Sequence, residues 1–189
     1  MPSNRHTRRS RRRRSTIPAL IAVAVAVTII GVLGRQSLAA SLPFAHGGSD
    51  TPFDRDDPEV TNLDPDLLDA LRLAAADAAT DDIEFVVNSG WRSSADQERL
   101  RQEAVVKYGS EAEAARWVAP PNDSAHVSGD AVDLGGPAAR QWLAEHGADY
   151  GLCRIYDNEP WHYELRPQAL RSGCPATYAD ATQDPRMQR

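Results

Sequence analysis

Ser124-Ala125-His126-Val127-Ser128-Gly129-Asp130-Ala131-Val132-Asp133 is the stretch from which the fold is read. His126 and Asp133 in it are both metal-competent side chains, with Gly129 between them. A glycine in that interval disfavours stacking both on one helix. A tight hairpin would instead bring both to one face of a sheet, where side chains of alternate residues lie together. Gly129 supplies the unusual backbone angle that a turn at Ser128-Gly129-Asp130 needs. The expectation is two short strands over 126–134. Ala131 is small and leaves room beside them.

A second segment, Glu159-Pro160-Trp161-His162-Tyr163-Glu164, offers a third ligand in His162. Two histidines and one carboxylate form the three-ligand set of a catalytic zinc and leave a fourth position for water. A nearby carboxylate that is not a ligand can act as general base, and Glu159 fits that role. Glu164, two residues after His162, would share its face on a strand, either behind the ligand or solvated.

Working outward, the periodicities point to a mixture of local hairpins and separate helices, an α+β fold. A small antiparallel sheet carries the zinc site and packs with several helices. Asp64-Pro65 opens a helix, and Leu67, Leu68, Leu71, Ala74, Ala75 and Ala78 recur at helical spacing. Ile83–Val87 reads as a strand. Ser94 with Gln97 forms a capping box for a helix that Gly109 ends, and Ser110 with Glu113 repeats the box for a helix to Trp117. Pro137 starts another helix, closed by Gly147. Residues 150–156 and 161–166 read as two more strands; residues after Ser172 show little pattern, and the last ten read as loose.

The charge is unevenly spread. Seven arginines crowd residues 1–16, and no acid precedes Asp50. Beyond residue 40, thirteen Lys and Arg face 27 Asp and Glu. So acidic a domain is not a nucleic-acid binder, which needs basic patches. Ile17–Leu33 is an uncharged apolar run behind the arginines, the pattern of a signal anchor or of a signal peptide cleaved after Ala39, with Ser37 and Ala39 as the small residues just before the cut. The organisation expected is a basic cytoplasmic tail (1–16), a membrane segment (17–34), a linker (35–60), a catalytic domain (61–172) and a C-terminal tail (173–189). The domain then faces the extracytoplasmic side, anchored or secreted. There the two cysteines, Cys153 and Cys174, form a disulfide by default; two buried thiols, or a share in a closed zinc site, are the alternatives.

The patterns S-x-H-x-x-G-x-A-x-D (124–133) and E-x-W-H (159–162), preceded by Ser89-Gly90-Trp91-Arg92-Ser93 and Gln97, resemble the VanY-type D-alanyl-D-alanine carboxypeptidases. These are zinc peptidases of the group shared with lysostaphin-like and hedgehog domains. The resemblance runs from about residue 60 to 167 with the motifs in family order. It implies Zn²⁺ held by His126, Asp133 and His162. It implies Glu159 as the base and Arg92 as donor to the scissile carbonyl, with Gln97 and Ser124 touching substrate or the motif backbone. The substrate implied is a peptidoglycan stem peptide ending in D-Ala-D-Ala. The alternatives are a peptidoglycan endopeptidase, a dipeptidase, or a non-catalytic zinc domain that binds a partner. The single lysine, Lys107, follows Ala104 at three residues, so no S-x-x-K of the serine penicillin-binding enzymes exists. Neither G-x-S-x-G nor H-E-x-x-H occurs.

Overall fold

The computed structural model describes residues 51–54 and 56–187. The basic segment, the apolar run and most of the 35–60 linker lie outside the described residues, as do the expectations attached to them. Among the described residues no helix is long and apolar enough to cross a membrane.

The elements run α1 (Pro58–Thr61), α2 (Pro65–Thr80), β1 (Val86–Ser89), α3 (Ser94–Tyr108), α4 (Glu111–Ala114), α5 (Ala125–Ser128), β2 (Ala131–Gly135), α6 (Pro137–His146), β3 (Leu152–Arg154), β4 (His162–Leu165) and α7 (Ala169–Ser172). The strands form one antiparallel sheet in the order β1-β2-β4-β3. The fold is α+β, a small sheet among several helices.

The pleat sorts the sheet into two faces. One carries Val132, Leu134, Leu152 and Tyr163 into a core with Leu67, Leu71, Ala74 and Ala78 of α2 and Leu143 of α6. Helix α2 is placed by Asp64, whose carboxylate accepts from the amides of Asp66 (2.9 Å) and Leu67 (3.2 Å), with Pro65 in the first turn. On the other face Asp133 pairs with both Ser89 and His162, and Glu164 pairs with both Ala131 and Cys153. Two rows of side chains thus cross the sheet side by side.

Several elements depart from the sequence reading. Residues 126–134 are not two strands. The Ser124 carbonyl accepts from Val127 and Ser128, which makes α5 a helical turn, and only Ala131–Gly135 is strand. Gly129 adopts φ +86° as the helix stop and not as a hairpin corner. The strand expected over Ile83–Val87 runs over Val86–Ser89, because the Ile83 amide is taken by the Ala78 carbonyl at the end of α2. Ser93 caps α3 in place of Ser94: its hydroxyl oxygen accepts from the Asp96 amide (3.1 Å), and its hydroxyl donates to the Asp96 carboxylate (2.7 Å). Ser110 caps α4 as read, but the helix stops at Ala114 and Trp117 turns back to stack on Tyr108.

The largest departure is the C-terminal segment. Residues 173–187 are no loose tail. Cys174 is bonded to Cys153 of β3, and Tyr178 bridges Tyr156. Asp180, Ala181 and Asp184 are buried. Ala181 joins Cys153, Ile155, Tyr156 and Ala169 in a second apolar cluster. The domain extends past Ser172 because this segment covers the polar face of the sheet.

The disulfide closes a loop with a sequence separation of 21. On chain-entropy grounds its loss costs about 3 kcal/mol. Cys174→Ser is expected to lower the urea-unfolding free energy by that amount; an unchanged midpoint would show that the second apolar cluster holds the segment without it.

Candidate metal centre

His126, Asp133 and His162 come from three elements, α5, β2 and β4, and the backbone explains why they meet. Asp133 and His162 are cross-strand partners. His126 is delivered by α5, which is clamped onto the segment before α3. The Arg92 amide donates to the His126 carbonyl (3.1 Å), and the Trp91 indole to that of Val127 (3.1 Å). Gly90 lies so close to α1 that a Cβ there would stand 2.0 Å from the Glu59 carbonyl. Gly129, with its positive φ, would likewise put a Cβ 2.6 Å from the Asn62 carbonyl. Both glycines seat the motif backbones against residues 59–64.

The facing atoms form a nearly equilateral triangle. His126 Nε2 and His162 Nδ1 are 3.2 Å apart, and each lies 3.3 Å from Asp133 Oδ1. The far nitrogens are engaged elsewhere, His126 Nδ1 with the Gly90 carbonyl (2.8 Å) and His162 Nε2 with Glu164 Oε1 (3.2 Å). Both partners are acceptors, so each far nitrogen donates and each near nitrogen can offer a lone pair inward to a cation. Two lone pairs and a carboxylate oxygen then converge in a buried space, which demands a cation. Tetrahedral ligand bonds of about 2.0–2.1 Å give edges of about 3.3 Å, so the triangle fits an ion of zinc's size.

The electrostatics agree. Burial pushes the His126 imidazole below its ordinary value, towards the neutral form a ligand needs. Burial also works against Asp133, yet hydrogen bonds from the two histidines hold it well below the carboxylate range. Burial works against the charged form of His162, but its bonds to Asp133 and Glu164 outweigh it and push the ring up to about 9, so a cation bound at Nδ1 would take the place of a proton.

Around the triangle lies a cleft of about 350 Å³ lined by Arg92, Gln97, Ser124, Glu159, Trp161 and Tyr156 among others. Glu159 Oε2 is 3.9 Å from His162 Nδ1, beside the triangle and not part of it. Burial pushes its carboxyl up to about 7, a value suited to giving and taking protons near neutrality. Arg92 is tied by Nη2 to Asp133 Oδ2 (3.0 Å), by Nη1 to Gln97 Oε1 (3.2 Å) and by Nε to Ser89 Oγ (2.9 Å). Three of its five donors are used, and two remain for the cleft. Gln97 is buried and passes its amide to the Ala119 carbonyl (2.8 Å), so it braces Arg92. Ser124 is buried at the start of α5 with no capping bond of its own.

The sequence reading left Glu164 undecided and did not single out Tyr156, Asp184 or Arg186. All four lie behind His162: Glu164 touches its Nε2, and Arg186 touches Glu164 and Asp184, which in turn accepts from Tyr156. The one signal was Asp184-Pro185-Arg186, an acid before proline that marks a turn.

Residues 60–168 match the VanY family, described as D-alanyl-D-alanine carboxypeptidase. A curated relative, a D-alanyl-D-alanine carboxypeptidase of Enterococcus faecalis (strain ATCC 700802 / V583), is 32% identical over 123 residues. The alignment covers 52% of this chain and 43% of the relative, so the chain spans less than half of that relative's length. Among solved structures, the vancomycin-resistance D,D-pentapeptidase VanY from a VanB-type cassette, a glutamate-to-alanine mutant bound to Zn(II), superposes with a TM-score of 0.54 at 26% identity. That match covers 59% of this chain and 80% of the other. VanYB in complex with D-alanine-D-alanine matches with the same score and identity, over 59% of this chain and 78% of that one.

The converging lone pairs make metal binding a stabilising event. Zn²⁺ at 1,000 times its Kd is expected to add about 4 kcal/mol to the chelator-treated protein, read as a rise in Tm. His126→Ala should remove that rise; an equal rise in the variant would place the ion elsewhere.

Proposed function

Because the chain belongs to the VanY family of D-alanyl-D-alanine carboxypeptidases, we propose that it is a zinc-dependent hydrolase removing the terminal D-alanine of peptidoglycan stem peptides. The observation that supports this most is the inward-facing triangle of His126, Asp133 and His162, with Glu159 and Arg92 beside it in one cleft. The triangle would hold the ion through one nitrogen of each histidine and one carboxylate oxygen. When bound, zinc supplies the acidity that makes a water nucleophilic at neutral pH. Glu159 accepts the proton of the attacking water on its carboxylate and returns it to the leaving amine of D-alanine. Arg92 turns its two remaining donors to the scissile carbonyl, where negative charge develops, while Asp133, Gln97 and Ser89 keep its guanidinium from moving. A donor braced on three sides does not reorganise during the reaction, which is what makes such a charge effective.

The same reading extends to location. An apolar run behind seven arginines would carry the domain to the extracytoplasmic face, anchored at the membrane or released. There it would meet its polymeric substrate.

Incubation with a pentapeptide stem should release one D-alanine per peptide, and a chelator should abolish the release. Glu159→Ala is expected to lower kcat by about 10²–10⁴-fold with zinc still bound. No release from the stem, with intact peptidoglycan cut, would identify an endopeptidase; neither reaction would identify a binding domain. Penicillin should not inhibit, since no S-x-x-K serine is present. Stoichiometric inactivation by penicillin would overturn the metal-based chemistry.

A further inference from the structure

Resting on the reading of the triangle as a zinc centre, the geometry points to Arg186 as a positioning residue for it. Its guanidinium, acting through Glu164, fixes the ring of His162 with Nδ1 turned to the metal. The argument begins with Glu164, which is fully buried on β4 beside the small Ala131. Its Oε1 accepts from His162 Nε2 at 3.2 Å. A carboxylate in that position selects the histidine's tautomer and aims its other nitrogen. It can do so only if its own charge is compensated and its plane is held.

Two arginines compensate it, and they differ. Arg166 reaches only Oε2, at 2.5 Å, and spends another donor on the Leu165 carbonyl. Arg186 grips both oxygens as a fork, Nη1 to Oε2 at 2.7 Å and Nη2 to Oε1 at 3.1 Å. Among the described residues, Arg186 is the only donor to Oε1 besides His162 itself. The orientation of the atom that meets the ligand therefore depends on it.

Arg186 is in turn held by Asp184, through Nε to Oδ1 (3.0 Å) and Oδ2 (2.9 Å) and through Nη2 to Oδ2. The buried Asp184 also accepts from the Tyr156 hydroxyl at 3.0 Å. The ring of Tyr156 lies against that of His162, with centroids 5.2 Å apart. His162 is thus steadied at its edge by Glu164 and on its face by Tyr156, and Arg186 links the two supports. The disulfide from Cys174 to Cys153, the cross-strand neighbour of Glu164, ties the segment bearing Arg186 to the sheet.

The test is zinc affinity of the full chain, measured by competition with a chromophoric chelator, for wild type, Arg186→Gln, Arg186→Lys and Glu164→Gln. The second readout is the ring N–H signal of His162 Nε2 in the zinc-loaded protein. Arg186→Gln should weaken zinc binding about tenfold and make the Nε2–H signal exchange rapidly. Arg186→Lys, which keeps the charge and loses the fork, should fall between it and wild type; it also serves if the glutamine variant does not fold. Glu164→Gln should weaken binding at least as much as Arg186→Gln. Affinities of both Arg186 variants within twofold of wild type would overturn the assignment. So would weaker binding with an unchanged Nε2–H signal, which would mark general loosening. Wild-type protein that takes up no zinc would sink the zinc reading and this one together, whereas failure to cleave peptide with the affinity pattern intact would sink only the proposed activity.

Discussion

The antiparallel pairing of β2 with β4 is the constraint on which the rest depends. It sets Asp133 opposite His162 and Ala131 opposite Glu164. A slip of β4 by one residue would turn His162 and Glu164 to the other face. His162 would then leave Asp133 for the apolar core, and Tyr163, which now packs with Val132 and Leu134, would enter the cleft. The register is held from the core side, where those residues pack against α2 and α6. Burial on one face thus determines the chemistry on the other.

The polar face is a set of nested supports. Asp133 offers one oxygen to the histidines and gives the other to Arg92. His126 and His162 each spend a proton on an acceptor behind them. Glu164 and Asp184, both fully buried, are charge-balanced by arginines that are themselves partly exposed. Each buried charge has an opposite partner, the condition under which such a cluster is tolerable away from water. Glu159 stands apart. Its carboxyl makes no hydrogen bond among the described residues and has one distant ion pair, which leaves it free to gain and lose a proton.

What was legible in the sequence were features whose cause is local. The Asp64-Pro65 cap, the Gly109 stop and the Pro137 start each act within a turn of themselves. The metal-competent residues stood out because histidine and acid recur in short, spaced segments. The errors share a cause: local signals that two structures can satisfy. Gly129 in the left-handed region suits a hairpin corner and a helix stop equally, and only the carbonyl of Asn62 pressing from outside the motif reveals the close packing there. Ser93 and Ser94 are equivalent caps until Asp96 and Gln97 are assigned different work. Beyond the cysteine pair, the role of residues 175–187 was not legible because it depends on long-range contacts. Asp184 and Arg186 have no periodicity, and their value comes from Glu164, 20 or more positions earlier.

That long reach bears on the order in which the molecule can be completed. A chain is made from its N-terminus, and domains gain structure as they emerge. The core face is available once β4 has been made, because α2, β2, α6 and β4 all precede residue 166. The opposite face must wait for Arg186, since until then Glu164 lacks its fork and Cys153 its partner. The first residues to shape the site, Gly90 and Arg92, are therefore in place long before the last. The polar face is the final part of the molecule to be finished, and a chain interrupted anywhere in its last stretch would have a packed core without a finished site.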